Sequence, residues 1–427
     1  MSDILNAHFG LPNKRIKFKC AFHNTIYDVL LARGFTETHG DLDWDIYWCE
    51  KDWIHDVFDR VHLASNQRVN HFRNHFQLTR KDNLARNIRK ARRDAEKDGK
   101  LDEVARLDII PQTFLLPTEY PLFVQHFKKE SSTGDRNTYI MKPIGKSQGK
   151  GIFLFDKLAD ITEWRGVRSA SQQPSVPIDT RSQPSNLQPA EAYIVQRYID
   201  NPLLIGGRKF DMRLYALVTS YQPLEVWIYR SGFARFAHER FSRGDLENTT
   251  IHLTNVAVQK HSDKYDRDFG GKWDLRRLKI FMQSVHGRRS VEKLFLALED
   301  MMVASLQAVS KVMLQDNHCF ELYGFDIMID ANLRPWLLEV NASPSLSANT
   351  ESDHEIKIGL LDDVLTVLDL EKRGLITPET LRVGGFDAKV RLSQRVHTSA
   401  STLGGLNDRR EQIGALCHQV MVGDREE

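Results

Sequence analysis

The chain has 427 residues, of which 41% are apolar and 27% are charged, and this composition excludes a fibrous repeat, a wholly disordered chain and a small stapled scaffold. Lys and Arg total 59 against 57 Asp and Glu, and a formal net charge of +2 argues against a general nucleic-acid binder. The length predicts two or three domains at roughly 100–200 residues each.

The cysteines and the apolar runs predict where the protein works. No CxxC pair is present, so we predict reduced thiols and no zinc site at the four cysteines, Cys20, Cys49, Cys319 and Cys417. The first twenty residues lack the apolar segment of a signal peptide, and no apolar run reaches the roughly 18 residues of a membrane helix. We therefore expect a cytoplasmic protein that has no membrane partner.

The N-terminal part of the chain contains one predicted strand and one unusually charged helix. Residues 41–49, DLDWDIYWC, begin by alternating acidic and apolar residues, which predicts a strand. Residues 80–106 contain ten Lys or Arg, six Asp or Glu and no Pro, which predicts a long, solvent-exposed helix with a net charge of +4. Such a helix is either a solvated face with internal ion pairs or a docking surface for an acidic partner.

The remainder of the chain alternates between strands and helices until its last segment. Residues 166–190 are rich in Ser, Gln and Pro and predict a flexible insertion, because this composition cannot form a packed core. The segment after Gly374 is rich in Gly, Ser and Thr and predicts a loosely ordered tail. Between these two segments we predict strands at 193–198, 212–219 and 226–236, and amphipathic helices at 291–314 and 356–372.

The strongest chemical signal is a predicted hairpin at residues 321–345, ELYGFDIMIDANLRPWLLEVNASPS. Folding it about Asn332 sets Asp326 opposite Glu339, and Asn341 follows on the same strand face as Glu339 because the two are separated by one residue. Two carboxylates and an amide oxygen at one spot suit Mg²⁺. The alternative is that these acids only face water at a sheet edge, although they close an otherwise apolar strand.

A second signal is the glycine-rich, basic segment Tyr139–Phe155, YIMKPIGKSQGKGIFLF. It predicts a strand ending at Lys142, a loop and a second strand, which differs from the strand–loop–helix of a Walker A motif. Glycines let a backbone approach phosphate oxygens, and Lys142, Lys146 and Lys150 add positive charge. A mobile hairpin closing over a nucleotide fits this pattern, and a plain surface turn is the alternative.

The third signal lies in residues 193–213. Lys209, Asp211 and Arg213 alternate along a predicted strand and therefore point to one face. Such a row of charges is either an ion-pair ladder or a site for phosphate and ribose. The apolar strand 193–199 runs into a polar loop that has backbone groups to offer an adenine edge.

Together these motifs resemble the ATP-grasp fold and, more narrowly, the tubulin–tyrosine-ligase-like family. The strings that carry the resemblance span about residues 20–372: MKPIGKSQGKGIF, YIVQRYI, GGRKFDMRLY, HLTNVAVQK, GGKW and FDIMID followed by WLLEVNASPSL. The chain looks most similar to the short members that act as tubulin polyglutamylases and are linked with cilia and flagella.

The resemblance implies an α+β fold in which a nucleotide and two Mg²⁺ ions lie between a central and a C-terminal mixed α/β subdomain, beside a smaller N-terminal subdomain. We expect an N-terminal subdomain at 1–110, a central subdomain at 111–220, a C-terminal subdomain at 221–373 and the tail at 374–427.

The resemblance also implies a role for individual residues. Asp326, Glu339 and Asn341 would hold the two Mg²⁺ ions, and Gln148 would also contact the protein substrate. Arg235 and Lys272 would bind the incoming amino acid, with Arg235 and Glu339 counted as catalytic. The residues implied to contact or line the ATP are Lys142, Gln148, Gly149, Gln196, Arg197, Tyr198, Ile199, Lys209, Asp211, Thr254 and Asn255.

The implied activity is an ATP-dependent tubulin–glutamate ligase that forms isopeptide-linked side chains on glutamates of tubulin tails through an acyl phosphate. Arg235 and Lys272 match the two carboxylates of free glutamate, whereas glycine would need only one cation. The tail after Gly374 is neutral, so we expect weak microtubule binding by the lone chain, accessory subunits for targeting, and a location at the cytoskeleton, basal body and ciliary or flagellar axoneme. A tubulin glycylase and a non-catalytic ciliary scaffold are the alternatives.

Overall fold

A computed structural model of the protein describes residues 15–132, 137–146, 148–161, 192–260, 262, 271–346 and 351–423. The insertion predicted at 166–190 lies outside these residues. All four cysteines are free thiols, as predicted. Among the described residues, no helix combines the length and the apolar character needed to cross a bilayer.

The described strands are numbered in chain order. They are β1 (Lys17–Cys20), β2 (Thr36–Glu37), β3 (Ile46–Trp48), β4 (Arg68–Val69), β5 (Thr113–Leu116), β6 (Tyr139–Pro143), β7 (Phe153–Phe155), β8 (Tyr193–Arg197), β9 (Leu204–Ile205), β10 (Arg208–Tyr221), β11 (Leu224–Tyr229), β12 (Phe233–Phe236), β13 (Lys272–Asp274), β14 (Glu321–Ile329), β15 (Pro335–Asn341), β16 (Arg382–Val383), β17 (Phe386–Arg391) and β18 (Gln394–Arg395).

The α-helices of the described residues are numbered in the same way. They are α1 (Thr25–Ala32), α2 (Lys51–Asp56), α3 (Phe76–Thr79), α4 (Lys81–Lys97), α5 (Leu101–Arg106), α6 (Tyr120–Ser131), α7 (Thr249–His252), α8 (Val256–Gln259), α9 (Leu275–His286), α10 (Arg288–Ser310), α11 (Glu351–Leu368) and α12 (Arg410–Gly423).

Three sheets organise these elements into a mixed α/β architecture, in agreement with the predicted class. A parallel sheet of order β2-β1-β3-β4 is followed by an antiparallel sheet of order β5-β8-β6-β7. The third sheet has ten strands, with the path β13-β12-β10-β11-β17-β16, and β14 pairs with both β10 and β15. The subdomain boundaries and the ATP-grasp arrangement stay predictions.

The long strand β10 supplies the core on both faces of the ten-stranded sheet, because successive side chains of a strand point to opposite sides. Leu214 and Ala216 pack with α10 in one core, which contains the predicted apolar stripe of that helix. Tyr215 and Leu217 pack with α1, α11 and α12 in a second core on the other face. Helix α6 covers the antiparallel sheet through Phe123 and Phe127.

The predicted single helix at 80–106 is wrong in two respects. It is two helices, α4 and α5, because Gly99 takes a positive φ of 70° and the Lys100 amide donates to the Ala95 carbonyl at 2.9 Å, which ends α4. One face of α4 is also buried, with Leu84 and Ile88 in the core beside α10. The strand predicted at 41–49 is shorter than expected, since only β3 forms.

Much of the basic charge in this region is neutralised by acids from other elements. The pairs are Arg89 with Glu119, Arg92 with Asp108 and Arg106 with Asp300. Arg86 with Asp82 and Arg92 with Glu96 add pairs within the segment itself, so the interpretation as a solvated face with ion pairs describes much of this surface.

The prediction of a loosely ordered tail after Gly374 is wrong for the described residues. Strand β17 pairs with β11 inside the ten-stranded sheet, and α12 packs into the core that contains α11. The charged letters of β17 gave no sign of this strand, but Asp387 pairs with Arg230 at 2.7 Å and Lys389 with Glu299 at 2.7 Å. These ion pairs let a strand with two buried charged residues enter a core.

Candidate nucleotide and magnesium site

A cleft lies between the antiparallel sheet and the ten-stranded sheet. It brings together residues that are far apart in the chain and that the sequence assigned to a nucleotide and metal site. The predicted residues that line it are Lys142, Gln148, Gly149, Gln196, Arg197, Tyr198, Ile199, Lys209, Asp211, Thr254, Asn255, Asp326 and Glu339.

The predicted carboxylate hairpin forms as expected. Asp326 on β14 is paired in register with Glu339 on β15, and a bulge follows Asp326. The amide nitrogen of Asn341 lies 3.4 Å from Glu339 Oε1 and 3.5 Å from Asp326 Oδ2. One hairpin therefore does converge two carboxylates and an amide, as the letter spacing predicted.

Asp326 is buried and held ionised by two guanidinium groups. Arg213 Nη2 donates to Asp326 Oδ2 at 3.0 Å, and Arg235 Nη2 lies 3.0 Å from the same oxygen. Burial alone would raise the pKa of Asp326, but the charges of Arg213 and Arg235 outweigh it and hold the pKa well below its usual range. The carboxylate is therefore an anion at any physiological pH.

Two buried lysines face the cleft from opposite sheets. Lys142 Nζ donates to Gln196 Oε1 at 2.8 Å, and burial lowers the pKa of Lys142 to about 8. Lys209 Nζ donates to the Tyr198 hydroxyl and to the His252 carbonyl, each at 2.8 Å, and burial lowers its pKa to about 7. Neither lysine has a carboxylate within ion-pair distance among the described residues, so both amino groups are available to an incoming anion.

Lys209 belongs to a hydrogen-bonded chain that fixes its position. His252 Nε2 lies 2.7 Å from the Asp245 carbonyl and must donate to it, so Nδ1 accepts from the Tyr198 hydroxyl at 2.9 Å in the neutral ring. Burial lowers the pKa of His252, which favours this neutral tautomer. The Tyr198 oxygen in turn accepts from Lys209. Sequence patterns gave no signal for His252.

The glycine-rich segment forms the predicted hairpin between β6 and β7. Its turn needs left-handed backbone, with φ of 62° at Gln148, 78° at Gly149 and 72° at Gly151. A Cβ on Gly149 would lie 2.7 Å from Val258 Cγ2 on α8 and 3.6 Å from Leu253. The glycine therefore lets the loop backbone lie directly against the segment that contains Thr254 and Asn255.

Arg235 and Lys272 are neighbours, but neither lines the cleft described above. They are cross-strand partners on β12 and β13. Arg235 forms a two-pronged ion pair with Asp211 in addition to its contact with Asp326. Lys272 Nζ lies 2.8 Å from Asp353 Oδ2 and sits over the Phe233 ring. For the third motif, Asp211 and Arg213 do form ion pairs, with Arg235 and Asp326, and the site for phosphate and ribose stays a prediction.

Several lining residues were missed by sequence reasoning. Lys81, at the start of α4, lies 3.2 Å from Glu339 Oε2 and is the cation nearest that carboxylate among the described residues. Met328 lies two residues after Asp326, so strand alternation carried a signal for it, whereas nothing in the sequence links Lys81 to Glu339. Apolar side chains that complete the cleft are Ile140, Ile152, Leu253, Met328 and Leu338.

Comparison with known proteins identifies the class to which this cleft belongs. The family model described as "Tubulin-tyrosine ligase family" matches residues 60–374, and the chain belongs to that family. The resemblance drawn from the motifs is thereby confirmed.

Individual relatives cover nearly the whole chain. It is 44% identical to rat "Probable tubulin polyglutamylase TTLL9" over 95% of this chain and 93% of the relative. It is 45% identical to the probable tubulin polyglutamylase ttll-9 of Caenorhabditis elegans, over 90% and 87%. It is 40% identical to the probable alpha-tubulin polyglutamylase Ttll1 of Tetrahymena thermophila, over 88% and 93%.

Proposed function

We propose that this chain is a tubulin polyglutamylase, an ATP-dependent ligase that joins free glutamate to glutamate side chains of tubulin tails. The observation that carries the proposal is the cleft, which combines carboxylates, buried lysines and a glycine-rich hairpin in a member of the tubulin-tyrosine ligase family. The names of relatives that match almost end to end support tubulin as the acceptor and glutamate as the donor.

ATP would lie in the cleft with its adenine toward β8 and its phosphates toward the glycine-rich hairpin. The end of β8 and the two residues after it, from Gln196 to Ile199, would offer backbone groups and apolar surface to the adenine. Lys142 and Lys209 are buried cations that gain a partner when phosphate oxygens arrive, and the hairpin at Gln148 and Gly149 presents backbone amides to the same phosphates. Thr254 and Asn255 close the cleft beside this hairpin.

The carboxylate hairpin fits Mg²⁺ by the chemistry of its donors. Three hydrogen bonds from Arg213 and Arg235 leave one lone pair of the Asp326 carboxylate available, and Glu339 needs only to release Lys81. Rotation of the Asn341 amide would turn its oxygen toward the same spot. Two Mg²⁺ ions bound to Asp326, Glu339 and Asn341 would offset the charge of the ATP phosphates during transfer.

The reaction follows from these groups without a nucleophilic side chain. A γ-carboxylate oxygen of the acceptor attacks the γ-phosphorus of ATP, the bond to the bridging oxygen breaks, and ADP leaves. The α-amine of glutamate, having lost its ammonium proton, then attacks the acyl carbon, and inorganic phosphate leaves with the former carbon–oxygen bonding pair. Lys142 and Lys209 balance the negative charge that develops on the transferred group.

Arg235 and Lys272 would hold the donor. Each already pairs with a carboxylate, Arg235 with Asp211 and Asp326 and Lys272 with Asp353, so both present charge at a fixed position. Their cross-strand pairing would let them bind the two carboxylates of one glutamate. Gln148, in the hairpin over the cleft, would contact the acceptor tail.

Targeting would come from other proteins. The ion pairs on α4 and α5 reduce the free basic charge of this surface, so we expect weak microtubule binding by the lone chain and accessory subunits that bring it to the cytoskeleton. We expect these sites to include the basal body and the ciliary or flagellar axoneme.

Mass spectrometry of tubulin tails tests the proposal. Tubulin is incubated with the chain, Mg-ATP and either glutamate or glycine, and a Glu339→Gln variant is run beside it. Added glutamate masses that vanish in the variant would support the proposal, whereas added glycine masses would identify a glycylase. If neither is added, the chain is purified from ciliated cells with its partners, and inactivity of that complex would favour a scaffold.

A further inference from the structure

Helix α9 presents an exposed face that the proposed active site does not use. This α9 outer face consists of Arg276, Arg277, Ile280 and Ser284, on the side of the helix opposite the buried Leu275, Leu278 and Met282, together with the exposed Phe281 and Val285 at its border. Ile280 is 57% exposed, Phe281 36% and Val285 59%. Three exposed large apolar side chains within residues 280–285 of one helix exceed the scattered single residues that are normal on a surface.

Helix α9 and the first turn of α10 are strongly basic. Residues 275–291 contain five Lys or Arg and no Asp or Glu. Of these five cations, Lys279 pairs with Glu292 at 3.7 Å. Arg276, Arg277, Arg288 and Arg289 form no ion pair with any residue of the described ranges. Elsewhere, α4 and α5 show the opposite behaviour, because their arginines are largely paired with acids from neighbouring elements.

The face is also held in a fixed shape. The Arg277 guanidinium lies 4.4 Å from the centre of the Trp273 ring, and the Phe281 ring meets the edge of Trp273 at 5.5 Å. Trp273 is itself packed against Phe236 of the ten-stranded sheet at 5.1 Å. An arginine stacked on an aromatic ring loses little further freedom on binding, which is why Arg and aromatic residues are enriched in protein interfaces.

We propose that the α9 outer face docks a partner protein through an acidic segment that also carries apolar side chains. Charge complementarity selects the acidic character, since Arg276 and Arg277 on the face and Arg288 and Arg289 at the start of α10 form no ion pair within the described residues, although Asp274 lies beside Arg276 and Arg277. Ile280, Phe281 and Val285 select the apolar component, because a chain of glutamates alone would leave them exposed to water. The proposal rests on this surface and not on the proposed ligase activity.

The position of the face gives the docking a consequence. Helix α9 begins directly after β13, the strand that holds Lys272. A partner bound to α9 therefore lies next to the strand that carries a proposed donor ligand.

A peptide-binding measurement tests the proposal. The probe is a fluorescent 21-residue peptide with Leu at helical spacing and Glu at the other positions, and its anisotropy is titrated with the full chain. We expect saturable binding that weakens at least tenfold in the Ile280→Glu/Val285→Glu double variant. Leu122→Glu is the matched control, since Leu122 on α6 is also 59% exposed, and it should change the affinity less than twofold.

Charge is tested separately. The double variant Arg288→Glu/Arg289→Glu should weaken peptide binding at least fivefold. The control Lys90→Glu/Arg93→Glu changes the net charge by the same amount on α4 and should have little effect on peptide binding. A polyglutamate peptide of equal charge should bind at least tenfold more weakly than the Leu–Glu peptide. Equal binding of polyglutamate would overturn the apolar component and with it the proposal.

Other outcomes would also overturn it. The proposal fails if the peptide shows no saturable binding or if the control variants lose as much affinity as the α9 variants. It also fails if the chain binds anionic phosphatidylserine vesicles with the same dependence on the variants. Finally, it fails if the chain is a dimer that dissociates in the Ile280→Glu/Val285→Glu variant. The variants must keep the circular-dichroism melting curve of the wild type. Tubulin glutamylation assayed in parallel keeps the two ideas separable, because neither residue belongs to the proposed catalytic machinery.

Discussion

The contact between Gly149 and α8 gives a prediction whose size can be worked out. Replacing Gly149 with Ala places a Cβ 2.7 Å from Val258 Cγ2 at a residue with φ of 78°. Left-handed backbone costs a non-glycine residue roughly 1–2 kcal/mol, and relieving the contact adds about 1 kcal/mol. A total of about 2–3 kcal/mol, imposed on the conformation that contacts the phosphates, weakens ATP binding about 30- to 140-fold.

The chain provides its own control for this change. Gly145 lies in the same loop, has no positive φ and would have nothing within 4 Å of an added Cβ, so Gly145→Ala should change ATP affinity less than threefold. Adding Val258→Ala to Gly149→Ala removes only the steric part and should restore about fivefold, or about 1 kcal/mol. Val258→Ala alone provides the fourth corner of the cycle.

Isothermal titration with ATP and Mg²⁺ measures the four affinities, and thermal melting shows that each variant is folded. The reasoning would be refuted if Gly149→Ala bound ATP as tightly as Gly145→Ala. The reasoning would also fail if adding Val258→Ala to Gly149→Ala restored no ATP affinity, since the packing of the hairpin on α8 would then have no part in ATP binding.

Three further predictions concern the charges around the cleft. Lys81→Met removes the cation that lies 3.2 Å from Glu339, and this partly exposed ion pair is worth about 0.5–1 kcal/mol. The half-saturating Mg²⁺ concentration in the ligase assay should therefore fall two- to fivefold. An increase would contradict the idea that Lys81 and Mg²⁺ compete for Glu339. Burial lowers the pKa of Lys209 to about 7, so this side chain should be neutral at pH 8.5 and become protonated when ATP binds. Calorimetric titrations with ATP in buffers of different ionisation enthalpy should therefore show proton uptake at pH 8.5. The uptake should be smaller at pH 6, where Lys209 is already charged, and smaller in the Lys209→Met variant. Lys272→Ala should raise KM for glutamate at least tenfold and leave KM for ATP nearly unchanged, and an unchanged KM for glutamate would exclude its proposed role.

The carboxylate hairpin of β14 and β15 shows what the local sequence determines. The turn after Asp330 and the alternation of β14 and β15 set Asp326 opposite Glu339, because register in a hairpin depends on residues near one another in the chain. The same locality made the glycine-rich hairpin and the charged face of β10 predictable.

The tail and α4 show where sequence patterns failed. The letters FDAKVR do not look like a buried strand, and they become one because Arg230 and Glu299 are already in place to pair with Asp387 and Lys389. Likewise the basic helix looked solvated on all sides, yet α10 covers Leu84 and Ile88. Both errors arise because burial of charge depends on partners that are distant in the chain.

By itself the sequence determined the secondary structure of the site, which depends on short-range spacing, and its motifs determined the resemblance to the family, which implied most of the residues in the cleft. Tertiary structure alone decided which charges are paired: Arg213 and Arg235 with Asp326, Lys81 with Glu339, and Lys272 with Asp353. Electrostatic energy depends on distance and desolvation in three dimensions, and neither can be read from the order of residues along the chain.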